Sequence, residues 1–334
     1  MLRRSTARAI ALLVCAGLGL IGIESASGLT ASASPSTSSP TLHVQYASAA
    51  GTTFAFAQLG SGPALILLNG TGSPMNEWDP ALLAALARSH RVTVFDYPGI
   101  GLSARAPSKW TFSNAADWVA AFAKVLSPKA PVDVVGWSMG GFIAQQLAIR
   151  HPEVVRQLIL AATNPGGPQA KLGPRWVQQL DSASQESDKA YLQTNYPHST
   201  DAQAAGRAFL HRLSTAVESG AYPPEQVPAA TYRAMVAAED PWLRSEANSR
   251  ALRTLSIPTL VITGASDVVT PAANSRLLAR IMPGARLVLV PGAGHSFLFQ
   301  NPQRTARTFD AFLAASPVEV VRQPSGLHCR LNHR

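Results

Sequence analysis

The chain has 334 residues, 46% hydrophobic and 14% charged, enough for one large domain or two ordinary ones and for a sizeable buried core. Its net charge of +9 does not single out nucleic acid: residues 1–33 and 317–334 each carry a net +2, and the remaining +5 is spread without a Lys/Arg block or interleaved aromatics. No His, Cys, Asp or Glu cluster has metal-ligand spacing, so neither metal nor cofactor is expected.

The N-terminus places Arg3, Arg4 and Arg8 before an apolar run from Ala9 to Ile23, then small residues and a Ser/Thr/Pro-rich stretch. Fifteen apolar residues fall short of the roughly 20 that span a bilayer. The pattern reads as a secretory signal over residues 1–33, cleaved after Ala26 or Ala33, with a linker over 34–41. The mature protein is therefore expected to be secreted or extracytoplasmic, with no membrane span; an uncleaved segment would keep it at the cell envelope. Arg3-Arg4 leaves a twin-arginine route open, and Cys15, preceded by Leu-Leu-Val, lacks a lipoprotein context. With Cys15 in the signal and Cys329 in the tail, no internal disulfide is available.

Two paired strands, "LHVQYAS" and "TTFAFAQLG", precede "ALILLNG", a continuous apolar run of the kind buried on both faces of a parallel sheet. A helix from Pro80 to Arg88 leads to "RVTVFDY", and a second from Phe112 to Leu126 has Ser113 as its expected N-cap. "VDVVGW", a helix from Met139 to Arg150 and "RQLILAAT" continue the alternation. Residues 164–250 are polar, alanine-rich and without a strand-like run, too long for a loop and hence a helical insertion. "TLVITG", a helix from Ala272 to Ile281, "RLVLVPG" and a helix from Pro302 to Leu313 close the pattern; the tail from Ser316 lacks periodicity. Alternating strands and helices imply an α/β fold with a mostly parallel sheet covered on both faces.

Gly136-Trp137-Ser138-Met139-Gly140 fits G-x-S-x-G between a strand and a helix, the context that motif requires. A strained turn there lifts the Ser138 hydroxyl clear of the sheet at a helix N-terminus, where backbone N–H groups favour developing negative charge. Serine needs a base, and the base an orienting acid. Of eight histidines, His295 in "VPGAGHSF" stands on a glycine-flanked loop after the last strand. Asp267 in "TGASDVVTP" follows the penultimate strand at the same sheet edge and could also cap the next helix. The chain order Ser138, Asp267, His295 suits this architecture.

Five motifs in order, "LLNGTGSPMNEW", "FDYPGIGLS", "GWSMGG", "TGASD" and "GAGH", give the chain from about residue 50 to residue 315 a resemblance to α/β-hydrolase-fold enzymes of the esterase and non-haem haloperoxidase-like group. The resemblance implies a core over 42–163 and 251–315, a helical lid over 164–250 inserted after the sixth strand, and a disordered tail over 316–334. It also implies an oxyanion hole of two backbone N–H groups, from Met139 and from Thr71. Asn69 stands where the family usually has histidine, and Pro98 where it often has arginine; both bear on loop bracing. Asp96 is expected to pack locally. Serine at position 138 argues against epoxide hydrolases and haloalkane dehalogenases, which carry aspartate there.

The implied function is hydrolysis of a carboxylic ester or lactone, a small acyl substrate, through an acyl-enzyme on Ser138. Acyl transfer or perhydrolysis on the same residues, a proline iminopeptidase-like peptidase, and a binding protein that kept the fold are the alternatives. Trp176, Tyr191, Tyr196, Phe209, Tyr222, Tyr232 and Trp242 in the insertion either line an apolar pocket or pack its helices; Glu186, Glu218, Glu225 and Glu239 are the acids that an amino-peptide substrate would engage. The oligomeric state is not legible.

Overall fold

A computed structural model describes residues 40–181 and 187–315. The expected signal, most of the linker, the tail, both cysteines and Glu186 lie outside the described residues. Eight strands form one sheet: β1 (Gln45–Ala49), β2 (Thr52–Leu59), β3 (Ala64–Leu68), β4 (Arg91–Phe95), β5 (Val132–Trp137), β6 (Val155–Ala161), β7 (Thr259–Gly264) and β8 (Arg286–Val290). Their order is β1-β2-β4-β3-β5-β6-β7-β8, and β2 alone runs antiparallel to its neighbours on both sides.

Residues along β3 alternate between two cores because successive side chains leave a strand on opposite faces. Ile66 and Leu68 join α2 (Phe112–Leu126), α3 (Met139–Arg150) and α10 (Ala272–Ile281) on one face. Leu65 and Leu67 join α1 (Pro80–Leu86) and α12 (Pro302–Leu313) on the other. The chain leaves β3 towards β4, then returns past β3 to β5. This reversal makes the carboxyl ends of β3 and β5 a topological switch point, the place where open α/β sheets bind ligands.

One helix start differs from expectation. Thr111, not Ser113, caps α2: its backbone is extended and its hydroxyl accepts a hydrogen bond from Asn114 N at 3.1 Å. Ser113 lies inside the first turn and donates instead to Gln146 Oε1 on α3.

Between β6 and β7 come α4 (Arg175–Asp181), α5 (Asp188–Asn195), α6 (Thr200–Glu218), α7 (Ala229–Ala237), α8 (Glu239–Arg244) and α9 (Ala247–Ala251). This insertion packs on loops at the carboxyl edge of the sheet. Tyr232 lies over Gly72 after β3, Thr231 against Gly99 after β4, and Asn195 against Gly294 after β8. Arg212 of α6 donates to Asp79 Oδ1 at 2.9 Å; that carboxylate is fully buried at the N-cap of α1. The insertion's aromatics pack both on the core and on one another: Phe209 stacks on Phe299 at 4.5 Å and Trp242 packs against Phe112 and Phe142, all three outside the insertion, while Tyr191 lies against Tyr196 and Phe209. Tyr196 and Tyr222 are buried and Trp176 is exposed.

Candidate active site

Ser138 follows β5 with φ 55° and ψ −121°, a left-handed conformation costing a non-glycine residue about 1–3 kcal/mol. The surroundings over-determine it. Its N–H donates to Ala161 O on β6 at 2.9 Å, and its carbonyl accepts from Gly141 N at 2.9 Å as α3 begins. The flanking glycines are needed for close approach between elements. A Cβ on Gly136 would sit 2.7 Å from the Ala144 Cβ, and one on Gly140 would overlap the Leu68 carbonyl oxygen and come within 2.7 Å of Asn69 O. Gly140→Ala therefore has to push α3 off the end of β3, at a cost of about 3 kcal/mol or more. A denaturant titration is expected to show a lower midpoint with an unchanged slope.

The loop after β3 passes beside this serine: a Cβ on Gly70 would lie 3.5 Å from Ser138 Cβ. Asn69, in the position where histidine is usual, donates from Nδ2 to Pro74 O at 2.7 Å and so ties the loop across its own base. The Tyr97 hydroxyl reaches Asn69 O at 3.4 Å, and Gly72 turns the chain at φ +68°. Thr71, between these braces, donates its hydroxyl to Glu239 Oε1 of the insertion at 3.2 Å. Pro98, standing where arginine is common, accepts from Trp110 Nε1 at 3.4 Å. Met139 is fully buried in the first turn of α3, at the helix N-terminus.

Asp267 and His295 come from the loops after β7 and β8, with His295 Nδ1 3.0 Å from Asp267 Oδ2 and 3.2 Å from Oδ1. Both are buried. The carboxylate also accepts from Val269 N and Thr270 N at 2.9 Å on Oδ1, and from the Thr263 and Thr270 hydroxyls at 3.0 Å on Oδ2. A carboxyl group held by four donors is fixed in orientation. With Nδ1–H donated to Asp267, Nε2 is the ring atom left with a lone pair. The Trp137 indole, next to Ser138, donates to the His295 carbonyl at 3.3 Å, and the two rings lie 5.6 Å apart, so the β5 and β8 loops meet.

All five expected residues, Ser138, Met139, Thr71, Asp267 and His295, thus lie on loops or a helix start at one edge of the sheet. Sequence reasoning missed the side chains that hold them. Thr270, three residues after Asp267, carries a legible Asx/ST-turn signal. Asn195 and Ser296 do not: the Ser296 hydroxyl donates to Asn195 Oδ1 at 2.9 Å, pinning the histidine loop to α5 across 101 residues. Among the described residues no group of His, Cys, Asp or Glu could hold a metal, and no helix is long and apolar enough to cross a membrane.

Comparison with known proteins agrees with this fold. The family model described as the alpha/beta hydrolase fold matches residues 63–302. The chain is 29% identical over 263 residues to a pimeloyl-[acyl-carrier protein] methyl ester esterase of Nitrosomonas europaea, covering 75% of this chain and 96% of that protein. It is 31% identical over 271 residues to BpoC of Mycobacterium tuberculosis, provisionally named a non-heme bromoperoxidase, covering 77% and 95%. Among solved structures, an alpha/beta hydrolase fold protein from Chitinophaga pinensis superposes with a TM-score of 0.71 at 24% identity, over 83% of this chain and 98% of that one.

Proposed function

Since the chain belongs to the alpha/beta hydrolase fold family and is an enzyme of that fold, we propose that it cleaves a carboxylic ester or lactone through an acyl-enzyme on Ser138, acting after export from the cytoplasm. The observation that carries this reading is the strained Ser138 at the β3/β5 switch point, with the Asp267–His295 pair on neighbouring loops of the same edge.

In this mechanism Ser138 Oγ attacks the substrate carbonyl while His295 Nε2 takes its proton. Asp267 remains ionised and holds the imidazolium through Nδ1. The oxyanion is received by the backbone N–H groups of Met139 and Thr71, pre-aligned at a helix start and a braced loop. Collapse expels the alcohol, protonated by His295, and leaves the acyl group on Ser138. Water activated by the same imidazole then releases the acid. The insertion α4–α9 acts as a lid, covering loops that carry Thr71, Asp267 and His295. The resemblance to a methyl ester esterase favours a small leaving group, and the arginines and apolar run from Ala9 to Ile23 at the N-terminus support export. The likeness to BpoC favours a second outcome at the same acyl-enzyme, in which peroxide replaces water and a peracid leaves.

The test is labelling of the full chain with a fluorophosphonate, mapped by mass spectrometry, beside turnover of p-nitrophenyl acetate, butyrate and octanoate. The expected result is one label per chain on Ser138, with chain-length-dependent turnover. Competing alcohol or peroxide sorts hydrolysis from transfer. A protein that neither labels nor turns over any of the three esters is not a serine esterase.

A further inference from the structure

Asp96 and Glu225 are two acids that the proposed chemistry does not use, yet they meet below the Thr71 loop. Asp96 follows β4 and is fully buried. Its Oδ1 accepts from Met75 N and its Oδ2 from Leu102 N, each at 2.8 Å. Glu225 arrives from the segment between α6 and α7 of the insertion. Its Oε2 accepts from Asn76 N at 3.3 Å, its buried Oε1 finds no N–H or hydroxyl donor, and its carboxyl lies beside that of Asp96. Around this contact the segment 223–226 is bonded to both loops, Asn76 Nδ2 after β3 donating to Pro223 O at 2.8 Å and Gly101 N after β4 to Gln226 O at 3.0 Å.

Two bare carboxylates cannot sit against each other away from water; one proton between them turns the repulsion into a hydrogen bond. We propose that Glu225 is a positioning residue for the oxyanion loop: sharing one proton with Asp96, it clamps Met75 and Asn76, and through them Thr71, to the insertion. The catalytic consequence rests on the function proposed above; the clamp itself does not.

The shared proton makes the clamp sensitive to alkali. Burial, then the charge of Asp96, pushes Glu225 up to about 9, and Glu77 from the turn after β3 adds a second acidic field. Burial likewise raises Asp96, to about 6, against the opposing backbone bonds from Leu102 and Met75. Both groups are raised above their unfolded values, so their joint contribution to folding is complete only below about 3.8, the lower of the two unfolded values, and declines as pH rises. The last of it, and the clamp, go as the proton leaves near pH 9.

Hydrogen exchange on the full chain reads the clamp without any catalysis. After correction for intrinsic exchange, the Met75 and Asn76 amides of the wild type are expected to stay protected at pH 7 and to lose about tenfold protection above pH 9. Glu225→Gln, whose amide can donate to ionised Asp96 and accept from Asn76, is expected to hold that protection across the range. Glu225→Ala is expected to lose it already at pH 7. In turnover of p-nitrophenyl acetate, Glu225→Ala should lower kcat by roughly ten- to a hundredfold with KM little changed. Glu225→Gln should recover most of that loss and remove the alkaline fall near pH 9. Equal protection in wild type and Glu225→Ala, or a wild-type profile flat through pH 10, would overturn the clamp. If exchange behaves as expected and the wild type hydrolyses no ester, the clamp stands and the serine esterase reading is what fails.

Discussion

Ser138→Ala is expected to lower kcat for p-nitrophenyl butyrate by about 10⁶-fold while leaving the fold intact. The size follows from the absence of another nucleophile in the mechanism: without Oγ no acyl-enzyme forms, and only the oxyanion donors and substrate binding remain to assist water. The fold should survive because the Ser138 backbone, not its side chain, carries the elbow. Its N–H bonds Ala161 O, its carbonyl accepts from Gly141, and its hydroxyl caps nothing in α3. Alanine tolerates φ 55° no better than serine, so a small fall in melting temperature is expected beside the large fall in rate. Substrate dissociation should change little, since the hydroxyl is spent in the reaction and not on ground-state binding. A mutant that retains a tenth of wild-type turnover would remove Ser138 from the chemistry whatever its backbone looks like.

The sequence exposed the sheet and its edge because both depend on local patterns. Continuous apolar runs such as "ALILLNG" and "VDVVGW" need cover on two faces, and glycines beside Ser138 leave few alternatives to a tight strand-to-helix turn. The cap of α2 is not legible in the sequence because Thr111 and Ser113 offer the same chemistry two residues apart; only the extended backbone at Thr111 decides. The order of strands, and with it the switch point between β3 and β5, follows from the reversal of the chain after β4, a property of connections that no single segment displays.

What lay beyond the sequence is mostly polar and long-range. Asn69 could be recognised as a departure, but its bond to Pro74 O, which restores a brace to the loop, required the loop's own path. Asp96 is expected to pack locally, and its bonds to Met75 and Leu102 are local; its partner Glu225 comes from the segment between α6 and α7, 129 residues away in the chain. The insertion's aromatic residues illustrate the same limit. Phe209 and Trp242 find their ring partners in Phe299 and in Phe112 and Phe142, outside the insertion, so composition alone could not separate packing from pocket lining.

Asp267→Asn is expected to reduce kcat/KM about 10⁴-fold near neutral pH with little change in structure, and the reason lies in the donors around it. Both oxygens of Asp267 are fully engaged: Oδ1 by the amides of Val269 and Thr270, Oδ2 by the hydroxyls of Thr263 and Thr270, with His295 Nδ1 facing both. The asparagine oxygen will take the Oδ1 position, because two fixed backbone N–H groups point there and cannot rotate away. Its Nδ2 then replaces Oδ2, where the threonine hydroxyls can turn to accept. Facing His295, that amide donates, so Nδ1 must become the acceptor and the ring proton moves to Nε2. The base that should receive the Ser138 proton is then blocked in the neutral protein. Deprotonated chemistry at high pH would recover part of the loss, giving an activity that climbs with pH where the wild type is level. An Asp267→Asn enzyme within tenfold of wild type at pH 7 would mean that His295 takes its tautomer from another partner, and that Asp267 serves chiefly to shape the loop before α10.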